Sequence, residues 1–171
     1  MPNWCYNSAT LICSSKEIYD KLLQSMKDGN WFDTFVPLGL ENNEYKYELA
    51  CEMWGTKWSP TDVTINNEDE ENFTIDVSFE TAWAPPIGVY KTMNEKYSIY
   101  TTAFYCELGC EFYGKCVYSD SEQINECFDL PKNQEELLEL QKKISSELND
   151  YMMSTWEYLE EQWETVSESE D

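Results

Sequence analysis

"WGTKWSP", residues 54–60, sets two tryptophans around a Gly-Thr-Lys turn and closes on a proline. Upstream, a helical pattern over about 44–54 stops at Gly55. Glycine just past a helix end takes the left-handed conformation that other residues resist. Downstream, "KWSPTDVTINN" (57–67) and "FTIDVSFETAW" (73–83) read as two strands joined by "EDEEN" (68–72). In the second, Phe73, Ile75, Val77 and Phe79 alternate with Thr74, Asp76, Ser78 and Glu80, the signature of a half-buried antiparallel strand. The stretch thus marks a helix-to-strand corner, with Trp54 and Trp58 packing across it. Trp83 and Pro85-Pro86 of "TAWAPP" (81–86) repeat the arrangement at the next corner. The same residues also admit a binding reading, in which Lys57, held between indoles, anchors an anion or a partner carboxylate.

Outward from this corner the elements follow in order. "NWCYNSATLIC" (3–13) is rich in strand formers. Ser14-Ser15 cap a helix whose stripe is Ile18, Leu22 and Met26, widened by Tyr19 and Leu23 and stopped by Gly29. "WFDTFVPLGL" (31–40) reads as an aromatic linker stiffened by Pro37. "APPIGVYKTMNEKY" (84–97) reads as a helix with prolines at its first positions, where a missing N–H costs nothing. "SIYTTAFYCEL" (98–108) returns as a strand, and "CEFYGKCVYS" (110–119) as a further strand or hairpin arm. This order predicts an α+β fold: a ferredoxin-like antiparallel sheet with helices packed on one face, over residues 1–130.

Residues 131–171 differ in character and predict one long amphipathic helix with an acidic tail. Leu137, Leu140, Ile144, Leu148, Met152, Trp156, Leu159, Trp163 and Val166 step by three or four, forming a continuous apolar stripe. Glu157, Glu161, Glu164 and Glu168 collect on a neighbouring face, with no lysine within one turn of them.

Composition narrows the chemistry. The 171 residues carry a formal charge of −23, all 11 basic residues are Lys, and His and Arg are absent. A His general base, a Ser-His or Cys-His pair, a His metal ligand and a bidentate Arg clamp are therefore excluded. The charge opposes direct contact with nucleic acid or anionic membrane. Neither a secretory leader nor a membrane-length apolar run is found, which predicts a cytoplasmic protein with reduced thiols. The seven Cys stand at 5, 13, 51, 106, 110, 116 and 127. Cys106, Cys110 and Cys116 lack the close pairing of zinc sites, and strand alternation places the first two on one face, as core packing would. "EDEE" (68–71) lacks the spacing of a calcium loop and reads as a hairpin tip. No paired-carboxylate motif stands out, so neither cofactor nor catalysis is expected.

Three segments together resemble a known family. "MPNWCYN" at the start, "WGTKW" (54–58) and F-x-T-A-W-x-P-P (79–86) are similar to the YubB ferredoxin-like family of bacteriophage and conjugative-plasmid proteins, over roughly residues 1–118. The chain departs from the pattern at Ser59, where an acidic residue is expected, and at Ala84, where Ser usually precedes the double proline. The resemblance implies a fold and a mobile-element setting, with no assigned reaction.

Charge and resemblance together lead to the expectation of a phage or plasmid interaction protein that inhibits a host defence or nucleic-acid-processing complex by acidic mimicry. The expected partner has a basic nucleic-acid groove. Its contacts would be Glu157, Glu161, Glu164 and Glu168, the acidic edge Glu68, Asp69, Glu70 and Glu71, Lys57, and Trp156 and Trp163 as apolar anchors. The alternative is a non-catalytic module that homodimerises through its C-terminal helix, its acidity serving solubility.

Overall fold

A computed structural model describes the backbone of residues 3–40 and 44–169 and the side chains of those residues up to Thr165. The described elements are β1 (Trp4–Ile12), α1 (Lys16–Lys27), α2 (Trp31–Phe35), α3 (Tyr47–Trp54), β2 (Thr61–Asp69), β3 (Thr74–Ala82), α4 (Ile87–Tyr97), β4 (Tyr100–Glu107), β5 (Phe112–Tyr118), β6 (Gln123–Asp129), α5 (Gln134–Gln141) and α6 (Ser146–Ser169). The chain divides into two compact units, Met1–Cys127 and Phe128–Asp171.

In the first unit the strands lie in the order β2-β3-β1-β4-β5-β6. Strand β1 is the centre, antiparallel to both β3 and β4, while β2 pairs antiparallel with β3 and β5 with β4. The first four strands and the helices between them form the split β-α-β pattern of ferredoxin-like folds. Strands β5 and β6 extend the sheet through a turn closed by the Ser119 N–H donating to the Glu122 carbonyl, 2.9 Å.

Alternation decides which face is covered. Cys5, Asn7, Ala9 and Leu11 of β1 lie opposite Thr81, Phe79, Val77 and Ile75 of β3, and all of these are buried. Their apolar members pack with Tyr19, Leu22 and Met26 of α1, Ala50 and Trp54 of α3, and Val89, Tyr90 and Met93 of α4. Ser15 caps α1 by accepting from the Ile18 N–H at 3.3 Å. Gly55 ends α3 at φ 85°.

Four expectations need correction. The aromatic linker contains α2, which is too short for a periodic signal yet buries Trp31, Phe32 and Phe35 completely. Trp31 meets Phe79 edge-on with ring centroids 5.3 Å apart, and Phe32 meets Trp54 at 5.5 Å, geometry that aromatic pairs favour. The double proline precedes α4, with Pro86 as its N-cap. The polar strand β6 has no counterpart in the expected order. The C-terminal helix is two helices: Asn133 caps α5, and Ser145 accepts from the Leu148 N–H at 3.3 Å to start α6. In the sequence the apolar residues keep their three-or-four spacing across this break.

Candidate functional site

From Phe128 onward the sequence holds 13 carboxylate residues against 3 lysines, and no basic residue follows Lys143. Within α6, Glu157, Glu161 and Glu164 are exposed. Glu160, absent from the expected set and half-buried, shares their face. At 3.6 residues per turn the four fall within about 100° of arc, at steps of about 4.5, 1.5 and 4.5 Å along the axis. The apolar residues Leu148, Met152, Trp156, Leu159 and Trp163 lie about 130° away round the helix. Glu160 accepts a hydrogen bond from the Gln134 side chain at 2.8 Å, a neutral partner that leaves the charge in place. Its three-residue spacing from Glu157 was the signal that would have found it. The Glu168 side chain lies outside the described residues.

Trp156 corrects the expected anchor. It is 2% exposed, and its indole N–H donates to Asn149 at 3.1 Å. A side chain already buried is not offered to a partner. Trp163 is half-buried.

The acidic edge at 68–71 is largely engaged within its own unit. Lys27 holds Glu68 at 3.0 Å, and Lys16 holds Glu70 at 2.7 Å as well as Asp20 at 3.0 Å. Exposed pairs add little stability, but they take these carboxylates out of a uniform negative field. Asp69 closes the turn, accepting from the Asn72 side chain at 2.8 Å and from the Glu71 and Asn72 N–H groups at 3.1 Å. Those bonds hold its carboxyl below the usual range, the Asn72 side chain first among them. Only Glu71 points a carboxylate outward without such a role.

The "WGTKW" corner packs as expected at Trp54 and Trp58, and Lys57 lies beside it over two rings. Trp54 is core: it is 2% exposed, and its indole N–H donates to the Val36 carbonyl at 2.8 Å. Trp58 meets Trp4 edge-on at 6.4 Å. Thr56, itself buried, donates to the Ala82 carbonyl at 2.8 Å and pins the turn to β3. Lys57 sits over the rings of Tyr47 (5.1 Å) and Trp58 (5.8 Å), so its neighbours are a phenol and one indole rather than two indoles. Tyr45 donates to the Lys57 carbonyl. Trp83 does not pack into the next corner. It is 43% exposed and its backbone is left-handed, φ 71°.

The cysteines divide by burial. Cys5, Cys13, Cys106 and Cys116 are buried, and Cys51, Cys110 and Cys127 are exposed. Cys110 lies in the β4–β5 turn rather than on a strand, beside the Glu107 carboxylate that accepts from the Gly109 N–H at 2.7 Å. Among the described residues no three Cys, Asp or Glu side chains are grouped to hold a metal. A thiol-specific chromogenic reagent should therefore titrate three thiols promptly in the native protein and all seven in denaturant. A fast native count of five or more would contradict this burial pattern.

Comparison with known proteins adds the family. A family model described as the ferredoxin-like domain in Api92-like protein matches residues 53–146, more than half of the chain. The chain belongs to that family. The match begins inside α3, so β1 and α1 of this Api92-like chain precede it. Among solved structures it is similar to the crystal structure of the protein Api92 from Yersinia pseudotuberculosis, at 14% identity and a TM-score of 0.42. That likeness covers 55% of this chain and 33% of Api92, so the chain spans about a third of that protein's length. No curated protein matches significantly. The Api92-like family assignment carries no catalytic activity with it. No described helix is long and apolar enough to cross a membrane.

Proposed function

We propose that this Api92-like chain is a non-catalytic interaction protein that occupies a basic groove built for nucleic acid, using the carboxylate face of α6. The observation that carries the reading is the density of negative charge on that face. Double-stranded DNA places a phosphate about every 3.4 Å along each strand, and Glu157, Glu160, Glu161 and Glu164 put four carboxylates within about 10.5 Å of helix axis, at steps of about 4.5, 1.5 and 4.5 Å, a comparable mean charge density. No lysine interrupts the row, and the apolar stripe is turned away from it. The 68–71 edge, already paired with Lys16 and Lys27, supports the reading less. The resemblance to phage and plasmid proteins makes a host defence or nucleic-acid-processing complex in the cytoplasm the fitting target.

The test compares the wild type with a variant carrying lysine at Glu157, Glu161, Glu164 and Glu168. Both are used as bait in bacterial lysate at low and high salt. A nucleic-acid enzyme captured by the wild type should bind the variant at least about 100-fold more weakly, because close charge pairs across interfaces contribute several kcal/mol in total. Duplex DNA should compete it off. Equal binding of both baits at either salt concentration would dismiss the mimicry. A self-associating wild type whose partner is only another copy would favour the dimeric module.

A further inference from the structure

We infer that the corner around Lys57 is a second binding site, for a single carboxylate carried beside an apolar side chain on a partner protein. The inference is independent of the α6 reading. It begins with an imbalance. The chain holds 34 carboxylate residues and 11 lysines, and Lys16, Lys27, Lys91 and Lys142 each lie within 4 Å of an acid. Lys57 has none among the described residues. Its contacts are the faces of Tyr47 and Trp58, which attract a cation without cancelling its charge.

The backbone that presents the ammonium is also held in place. Gly55 turns the chain at φ 85°, Thr56 ties it to Ala82, Tyr45 bonds the Lys57 carbonyl, and Trp58 rests on Trp4. A lysine presented from such a turn costs less backbone ordering on binding than one on a mobile loop. Beside it, Ala82 pairs with Trp4, and the next residue, Trp83, donates its N–H to the Asn3 carbonyl at 3.0 Å. Trp83 is a large aromatic kept in the left-handed region and left 43% exposed. Bulky residues avoid that region, and burial here recovers only part of the cost. Tyr45 and Tyr47 are likewise about half exposed. The corner thus offers one fixed cation rimmed by tyrosine and tryptophan, the residue types that dominate binding hot spots.

Charge selects the occupant. A polyanion would meet the repulsion of a −23 chain along its whole length. One carboxylate meets mainly its nearest neighbour, because charges beyond about 8 Å are screened at physiological salt. An acidic residue or chain end next to a leucine-like side chain fits these terms.

N-acetyl-leucine and its neutral amide serve as probes of the full-length chain, read on the indole N–H signals of its tryptophans by NMR. Saturable shifts of Trp58 and Trp83 are expected with the carboxylate at millimolar concentration, and none with the amide. Lys57→Gln should weaken binding at least about fivefold, as loss of a charge-assisted contact does, with an unchanged melting temperature. Tyr47→Ser, at a half-exposed position, provides a second variant and should weaken binding too. Equal shifts from acid and amide, an unaffected Lys57→Gln variant, or stronger shifts from a short oligothymidylate would each overturn the assignment.

Discussion

Stability should collapse between pH 9 and pH 12, while the thiols are kept reduced. Burial pushes the Cys13 and Cys116 thiols up to about 12 from an ordinary value of 9.0. Cys5 is pushed up further, by burial first and then by Cys106 nearby. The sign follows from proton linkage. Below pH 9 these thiols are neutral in both folded and unfolded chains, and the burial of an uncharged group is fully favourable. Above pH 9 the unfolded chain releases protons that the folded chain retains, so the unfolded state gains. That advantage grows until the folded thiols ionise near pH 12. Each thiol contributes a little over 1 kcal/mol per pH unit, so Cys13 and Cys116 together remove about 5 kcal/mol by pH 11. The whole stability of a domain is about 5–15 kcal/mol. The buried phenol of Tyr113, raised to about 12, steepens the loss above pH 10. Urea titrations at pH 7, 9, 10 and 11 would measure the slope, and a Cys13→Ala, Cys116→Ala variant should flatten it. A native state equally stable at pH 8 and pH 11 would show that these thiols are not buried.

Gly88→Ala should destabilise the protein by about 3 kcal/mol, although alanine is ordinarily the better helix former. A Cβ at Gly88 would stand 2.2 Å from the Met53 carbonyl oxygen and 2.9 Å from its carbon. Both are backbone atoms of α3, so no side chain can swing aside, and α3 and α4 would have to separate. Their separation disturbs Trp54, Val89 and Tyr90 together, all of them in one cluster. For a chain of this length the expected fall in melting temperature is roughly 6–12 °C. Gly29→Ala sets the scale, because its Cβ would meet nothing within 4 Å and only its φ of 73° opposes the change. That variant should lose about 1 kcal/mol. Similar losses from both would mean that the α3–α4 crossing is wider than described.

The parts of the fold that local chemistry dictates were legible in the sequence. The Ser15 cap, the Gly55 stop and the alternation in β3 each rest on residues within a few positions of one another. The fifth and sixth helices were hidden as one because Leu140, Ile144 and Leu148 keep helical spacing across the break. Strand β6, "QINECFD", was missed because exposed, polar residues give no alternation to read. Short α2 has three apolar aromatics in five residues, which shows no period at all. The candidate site was legible in its charges but not in their partners. Glu68 and Glu70 are paired with Lys27 and Lys16 of α1, about 40 and 55 residues earlier in the chain, a pairing set by the fold. Trp83 was misread for a related reason. Tryptophan at a corner ordinarily packs inward, and the left-handed backbone that turns it outward leaves no mark in the residue types around it.

The central place of β1 bears on the order in which the protein can be made. Once it has left the ribosome, β1 needs Thr81 beside Cys5 on one flank and Glu107 beside it on the other, both of which are synthesised after it. Until both have been synthesised the middle of the sheet has no neighbours, and its apolar residues wait exposed. Long-range pairing of this kind slows folding and lengthens exposure to aggregation. A fragment cut at the borders of the family match, 53–146, would begin after β1 and leave β3 and β4 with a strand-wide gap between them. The family's shared segment is therefore the rim of this sheet, and its keystone lies upstream.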